Sequence, residues 1–340
     1  MQASNDILRF IIGGYTKRQN DGLYLLSLDC KNDQFFLEKK LYTMAYPTYF
    51  TVDAQQKWLF CIDRGPNGKG GLSAFRLTNQ ALEKVSTQID SEVPGCHIYY
   101  DETSHLLYVA QYHLAAMDVY AFENQTLHRV TTIKRVGASI AKEQTHARPH
   151  ALLSYKGHQI LSDLGTDHLA LYDERFKLQQ EFKMPAGTGP RHLLLLPEYQ
   201  KLYVIGELSN TVHVLRLDEE GRIAALEQTY PLVDKDAHGA HSAAIHVSPD
   251  HRFLYTSTRY CDYLNAFAIN ETGHLSFLQR ISCKGKTPRD FCITRNGRFA
   301  IVPYLDSDEV SLYEREKDGT LIHRITQKVT HECARIMELC

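Results

Sequence analysis

The sequence predicts an all-β fold, a seven-bladed β-propeller with four antiparallel strands per blade, on three observations. The first is a unit, clearest at residues 189–218 (GPRHLLLLPEYQKLYVIGELSNTVHVLRLD), in which two apolar runs and one alternating segment are separated by polar turns. Short apolar runs bounded by turn residues, with period-two patterning, read as β-strands, so the unit is a three-strand meander. The second is recurrence: seven copies run at 9–29, 47–77, 95–123, 149–174, 189–218, 242–270 and 288–315. The third is spacing. Strand-one starts at 47, 95, 149, 190, 242 and 288 lie 41 to 54 residues apart, leaving room for a fourth strand such as LSFLQRIS at 275–282. Repeats of roughly 40–50 residues with four short strands are the signature of a propeller, whose blades bury their faces against one another.

The first copy is incomplete. Residues 9–29 supply a second and a third strand but no first, and the segment HECARIMEL at 331–339 resembles the first strand of other copies. It is expected to complete that blade, so that N- and C-terminal strands share one sheet and the ring has no open edge. No linker or low-complexity tract interrupts the repeats, and residues 1–340 are expected to form one domain.

Composition narrows the function. Apolar residues make up 43% and charged residues 23% of the chain, as in soluble globular proteins. A formal net charge of −2 provides no global field for nucleic acid or an anionic membrane, so any basic site must be local. No apolar run reaches the about 18 residues of a transmembrane helix. The N-terminal MQASNDILRFIIGG has no basic region, and its apolar stretch is too short for a signal peptide. Eight cysteines, at 30, 61, 96, 261, 283, 292, 333 and 340, are scattered without a CxxC pair. They are expected as small buried hydrophobes in a reducing cytoplasm.

In a propeller blade the first strand lines the central channel and the second runs antiparallel beside it. Starts of first strands and ends of second strands therefore share one face of the disc. Strand starts carry His97, His150, Arg191 with His192, and Arg289 with Asp290; strand-two ends carry Arg64, Gln111, Asp163, Glu207 and Arg259. His246 lies just inside its first strand. Convergent arginines suit an anionic ligand, because guanidinium pairs bidentately with carboxylate or phosphate. The competing reading is that these groups solvate a channel or staple blades together.

Other motifs are weaker. HGAHSAAIH (238–246) has irregular histidine spacing and no HExxH or Cys/His frame, so no metal is expected there. PNGKGG (66–71) has no helix after it and reads as a hairpin turn. There is no GxSxG elbow and no basic-aromatic RNA platform.

The segments GPRHLLLLP, YVIGELSNTVHVL, AAIHVSPDHRFLYTSTRY and TPRDFCITRNGRFA, with PHALLSY and SDLGTDHLALYD, resemble the lactonase family of seven-bladed propellers. That family holds propeller-type 6-phosphogluconolactonases and fungal 3-carboxy-cis,cis-muconate lactonizing enzymes. The likeness runs from residue 13 to residue 321 and implies hydrolysis of a small anionic lactone without a cofactor. 6-Phosphogluconolactone, in the pentose phosphate pathway, is the foremost candidate. The resemblance implies catalytic roles for His150 in PHA, Arg191 in GPRH, Glu207 in GEL and Arg259 in STRY. By strand position, His192, His246, Arg289, Asp163 and His97 join them as substrate-binding candidates. Either His150 or Glu207 could take the proton from water, the other serving to orient. Two departures stand out: YKGHQ (155–159) replaces the family's Pro-Asp-Gly turn, and Gly206 stands where asparagine is frequent. The alternatives are a cycloisomerase or another lactonase using the same basic funnel, and a non-catalytic propeller presenting its rim to a protein partner. A calcium-dependent gluconolactonase is disfavoured, since no oxygen-rich cage surrounds Glu207 or Asp163.

Overall fold

A computed structural model describes residues 7–78 and 81–339, and among them the chain forms seven four-stranded antiparallel sheets. Cys340, residues 1–6 of the N-terminal stretch and the outermost limits of the expected single domain lie outside the described residues. Blade one is ordered Cys333–Glu338, Ile7–Gly14, Gly22–Asp29, Gln34–Thr43 from its inner strand outward. Blades two to seven follow in chain order, with inner strands Phe50–Val52, His97–Asp101, Pro149–Tyr155, Pro190–Leu196, His241–Val247 and Cys292–Ile293.

The ring closes as the repeat pattern predicts. Cys333–Glu338 pairs antiparallel with Ile7–Gly14, placing Ile336 opposite Ile12. The buried Glu332 carboxylate, just before it, accepts the backbone N–H groups of Lys17 (3.0 Å), Arg18 (2.6 Å) and Gln19 (3.1 Å). One carboxylate thus clasps the loop after the first N-terminal strand to the C-terminal one. Deleting residues 329–340 exposes the Ile7–Gly14 edge and removes Ile336 from the core. A melting temperature lowered by several degrees, or insoluble protein, is expected; unchanged melting in a thermal-shift measurement would contradict this closure.

The core lies between blades rather than within them. Ile205 and Val212 of blade five pack on Ile245, Leu254 and Phe267 of blade six, all at most 4% exposed. Phe10, Ile12 and Ile336 meet Phe299 and Ile301 in the same way where blade one joins blade seven. The second strand of each blade is buried on both faces, as in Lys201–Gly206, Phe253–Arg259 and Phe299–Pro303, which is why these strands carry so few charged residues.

One detail differs from the sequence reading. The repeats opening at Pro47 and Pro288 enter the sheet ladder only at Phe50 and Cys292, so Arg289 and Asp290 leave an extended segment ahead of the strand. Pro288 has no N–H to donate, and Thr287 before it turns the chain at φ 64°. The YKGHQ departure is a two-residue hairpin: Lys156 and Gly157, at φ 48° and 76°, make the primed turn that suits strand twist. PNGKGG is a turn joining two strands of blade two. Among the described residues Cys61 and Cys333 are buried, Cys96, Cys261, Cys283 and Cys292 are half-buried, and these six are free thiols. No described helix is long and apolar enough to cross a membrane.

Candidate functional site

The inner strands of three consecutive blades are irregular where they open. Register slips between Pro149 and Ala151, between Pro190 and Leu193, and between Ser242 and Ile245. A bulge inserts extra residues on one strand and re-aims their side chains. Here it turns His150, Arg191 and His192 into a cavity of about 440 Å³ at the channel mouth. A repeat rule emerges from the lining. The residue after each opening Pro or Gly faces this cavity: Thr48, Cys96, His150, Arg191 and Arg289. Glu207 and Arg259, at the ends of second strands, complete the wall.

Glu207 is the electrostatic centre. Its Oε2 lies 2.8 Å from Arg191 Nε, its Oε1 lies 2.8 Å from Arg259 Nη2, and His241 Nδ1 approaches Oε1 at 3.3 Å. Both guanidinium nitrogens at these contacts are buried, so the carboxylate and the two cations form one close coulombic cluster. Burial pushes the Glu207 carboxyl up, but Arg259, the His241 contact and Arg191 outweigh it and hold it well below the usual range. Arg191 is 2% exposed, gives Nη1 to the Ala243 carbonyl, and burial beside Arg289 brings it down to about 10. Gly206 has a steric cause: a Cβ there would lie 2.3 Å from Ser209 Oγ and 2.8 Å from Thr211 Oγ1.

Beneath this wall three imidazoles pack edge to face. The His97 and His150 rings lie 5.7 and 5.5 Å from that of His192, and His97 lies 4.4 Å from Tyr49. Burial, with nearby Arg335 and Arg191, lowers His97 to about 3. Burial and Arg191 push His150 and His192 well below 6.5, so all three are neutral at physiological pH. The buried Nδ1 of His150 has no partner among the described residues, so its ring meets the cavity through the Nε2 edge.

Positive charge is in surplus. Arg64, Arg191, Arg259 and Arg289 line the cavity against only Glu207 and Asp290. Asp290 is already held by Arg335 (2.7 Å) and His246 (2.8 Å); burial opposes its ionisation, but these partners keep it at about 2. Among the described residues Arg64 and Arg289 have no carboxylate partner and rest instead on the rings of Tyr46 (4.6 Å) and Tyr15 (5.8 Å).

The family model "Lactonase, 7-bladed beta-propeller" matches residues 9–337. The chain belongs to this lactonase family. Within its relatives, the uncharacterized protein YwcC of Lactococcus lactis is 33% identical over 92% of this chain and 94% of its own. The 6-phosphogluconolactonase of Bacillus subtilis is 26% identical, over 90% of this chain and 91% of that one. A crystal structure of a Lactobacillus plantarum protein superposes with a TM-score of 0.92 at 28% identity, covering 98% and 99% of the two chains.

In this lactonase-family chain the cavity gathers His150, Arg191, His192, Glu207, Arg259 and Arg289 of the expected site. The other three candidates fall elsewhere. Asp163 is fully buried in the blade, paired with Arg135 Nε at 3.1 Å and accepting the Arg148 N–H. It occupies the register of Gly206, one residue before the Glu207 position, since each pairs with the opening proline of its strand. Period two then turns its side chain to the other face. His97 lies in the imidazole layer below the cavity, and His246 braces Asp290 from beneath. The histidines of HGAHSAAIH part company in the same way, His241 toward Glu207 and His246 toward Asp290. Among the described residues no group of three or more His, Cys, Asp or Glu is placed to hold a metal. Sequence reasoning missed Tyr15, Tyr46 and Tyr112 in the wall, and His241 and Arg335 behind it. The recurring Pro-x or Gly-x opening was a usable signal for Thr48 and Cys96; the cross-blade partners had none.

Proposed function

We propose that this protein hydrolyses a sugar lactone, with 6-phosphogluconolactone as the substrate that suits the site best. The observation that carries the reading is a carboxylate held ionised between two arginines in the wall of a cationic cavity, beside a neutral imidazole. Water attacks the lactone carbonyl carbon, and Glu207 accepts the water proton as the new C–O bond forms. Arg259 and Arg191 take the charge that develops on the carbonyl oxygen. The ring C–O bond then breaks, and Glu207 returns the proton to the departing ring oxygen, so that protons and charge balance.

His150 serves this scheme as a neutral donor. We assign the proton to Nε2, toward the cavity, where it can donate to the substrate, and the lone pair to the buried Nδ1. Arg289, without a carboxylate partner among the described residues, supplies the attraction for a phosphorylated substrate, and Arg64 adds to the positive field of the cavity. An anionic substrate that draws Arg259 toward itself also loosens the hold on Glu207 and makes it a better base. We assign the activity to the cytoplasm, a reading supported by the free thiols of Cys61, Cys96, Cys261, Cys283, Cys292 and Cys333 among the described residues, and to the pentose phosphate pathway on the proposed substrate.

The test is hydrolysis of freshly generated 6-phosphogluconolactone, corrected for spontaneous opening, beside a panel of unphosphorylated acid lactones. Arg259→Ala is expected to lower kcat by about 100-fold or more, the usual cost of removing an oxyanion partner. A wild-type rate no greater than the uncatalysed opening defeats the proposal.

A further inference from the structure

Beside the main cavity lies a second one of about 330 Å³, and Tyr15, Arg259 and Arg289 line both. Its remaining wall includes Lys17, Arg18 and Thr287. Lys17 Nζ stands 5.0 Å from the Tyr15 ring centroid, and the Arg289 guanidinium stands 5.8 Å from the same centroid. Two cations thus converge on one ring, and neither has a carboxylate partner among the described residues. Arg18, by contrast, is tied to Asp308 at 2.7 Å and to the Leu305 carbonyl at 2.9 Å. The carboxylates in the wall are engaged: Glu332 by the backbone N–H groups of residues 17–19, Asp306 by the Thr287 hydroxyl.

The geometry points to this side cavity as an anion subsite that receives the phosphate ester of the substrate, with Lys17 as its specificity-determining residue. The assignment rests on the lactone-hydrolysis reading for the identity of the substrate, though not for the existence of the subsite. A phosphate there is held between Lys17 and Arg289 by charge-assisted hydrogen bonds. The sugar ring reaches past the shared wall of Arg259 to put its carbonyl beside Glu207. Arg64 is the competing anchor. It lies beyond the Tyr46–Tyr15 pair, whose ring centroids are 5.7 Å apart, and offers a single cation where the side cavity offers two.

The experiment compares kcat/KM for 6-phosphogluconolactone with that for glucono-1,5-lactone. In Lys17→Gln, a substitution at an exposed position, the ratio of phosphorylated to plain substrate is expected to fall about tenfold, through KM. An unaltered ratio in Lys17→Gln, or a fall confined to Arg64→Gln, overturns the subsite. If wild-type protein opens neither lactone above background, hydrolysis is the failed reading, and calorimetry with inorganic phosphate judges the subsite alone. Binding weakened about tenfold by Lys17→Gln then upholds it, and equal binding by the two proteins overturns it.

Discussion

Lowering the pH from 7.5 to 5.5 is expected to cost this protein several kcal/mol of stability, through buried histidines, three of them at the site and a fourth, His213, within blade five. His97, His150 and His192 are at most 9% exposed and neutral when folded. The unfolded chain gains a proton on each ring as pH falls through the ordinary value of 6.5, while the folded rings refuse it. Protons bound only by the unfolded state favour unfolding. Stability is therefore full above about pH 7.5 and drains as pH drops through 6.5 toward the depressed folded values. Each ring contributes up to about 1.4 kcal/mol per pH unit, so three reach on the order of 4 kcal/mol per unit at the steepest. Against a typical total of about 5–15 kcal/mol, that is a large share.

The carboxylates Glu207 and Asp290 act in a separate window. Their folded values are depressed, so the stability they contribute is present above about pH 4.5 and is lost only as pH falls toward their folded values. Urea midpoints measured between pH 7.5 and 5.5 isolate the histidines. His97→Asn should lose about one ring's share of the slope. Midpoints that do not move over this range would show that the rings are protonated in the folded protein.

Glu207→Gln is expected to damage both stability and turnover. Arg191 is 2% exposed and Arg259 is 6% exposed, and Glu207 is the carboxylate that compensates them. Removing one member of a buried charge cluster typically costs about 3–5 kcal/mol, because it leaves the others uncompensated. In the proposed hydrolysis the amide also cannot accept the water proton, and loss of a positioned acid–base group typically costs about 10²–10⁴-fold in rate. The two effects separate in Glu207→Asp, which keeps the charge and withdraws it by one methylene. That variant should unfold near the wild-type urea midpoint yet turn over at least about tenfold more slowly. Wild-type kcat in either variant would remove Glu207 from the chemistry.

The architecture was legible because it is written seven times. Apolar runs, turns and spacing repeat, and the half-blade at 9–29 declared the partner it found at Cys333–Glu338. Glu207, Arg191 and Arg259 were legible because each is an ionisable residue beside apolar strand residues, Arg191 at a strand's start and the other two at strand ends. Asp163 interrupts its run equally well, but sits one residue earlier in the ladder and so faces Arg135 instead. A one-residue difference in register changes the face, and no local pattern reports it. The bulges at Pro149, Pro190 and Ser242 were likewise invisible, although they decide which side chains reach the mouth. Arg335 and His246 brace Asp290 across gaps of 45 and 44 residues, contacts between blades that a linear reading cannot pair.

The strand shared by the two ends of the ring also imposes an order of events on biosynthesis. Ala334 lines the cavity and Arg335 anchors Asp290 beneath it, and both lie on the strand that pairs with Ile7–Gly14. Blades can form one after another as they leave the ribosome, but the cavity floor has no Arg335 until the last of them is joined to the first. Six blades' worth of nascent chain therefore holds Arg191, Glu207 and Arg259 without a finished site. Substrate binding should appear late and abruptly, with ring closure, rather than accumulate as the blades are made.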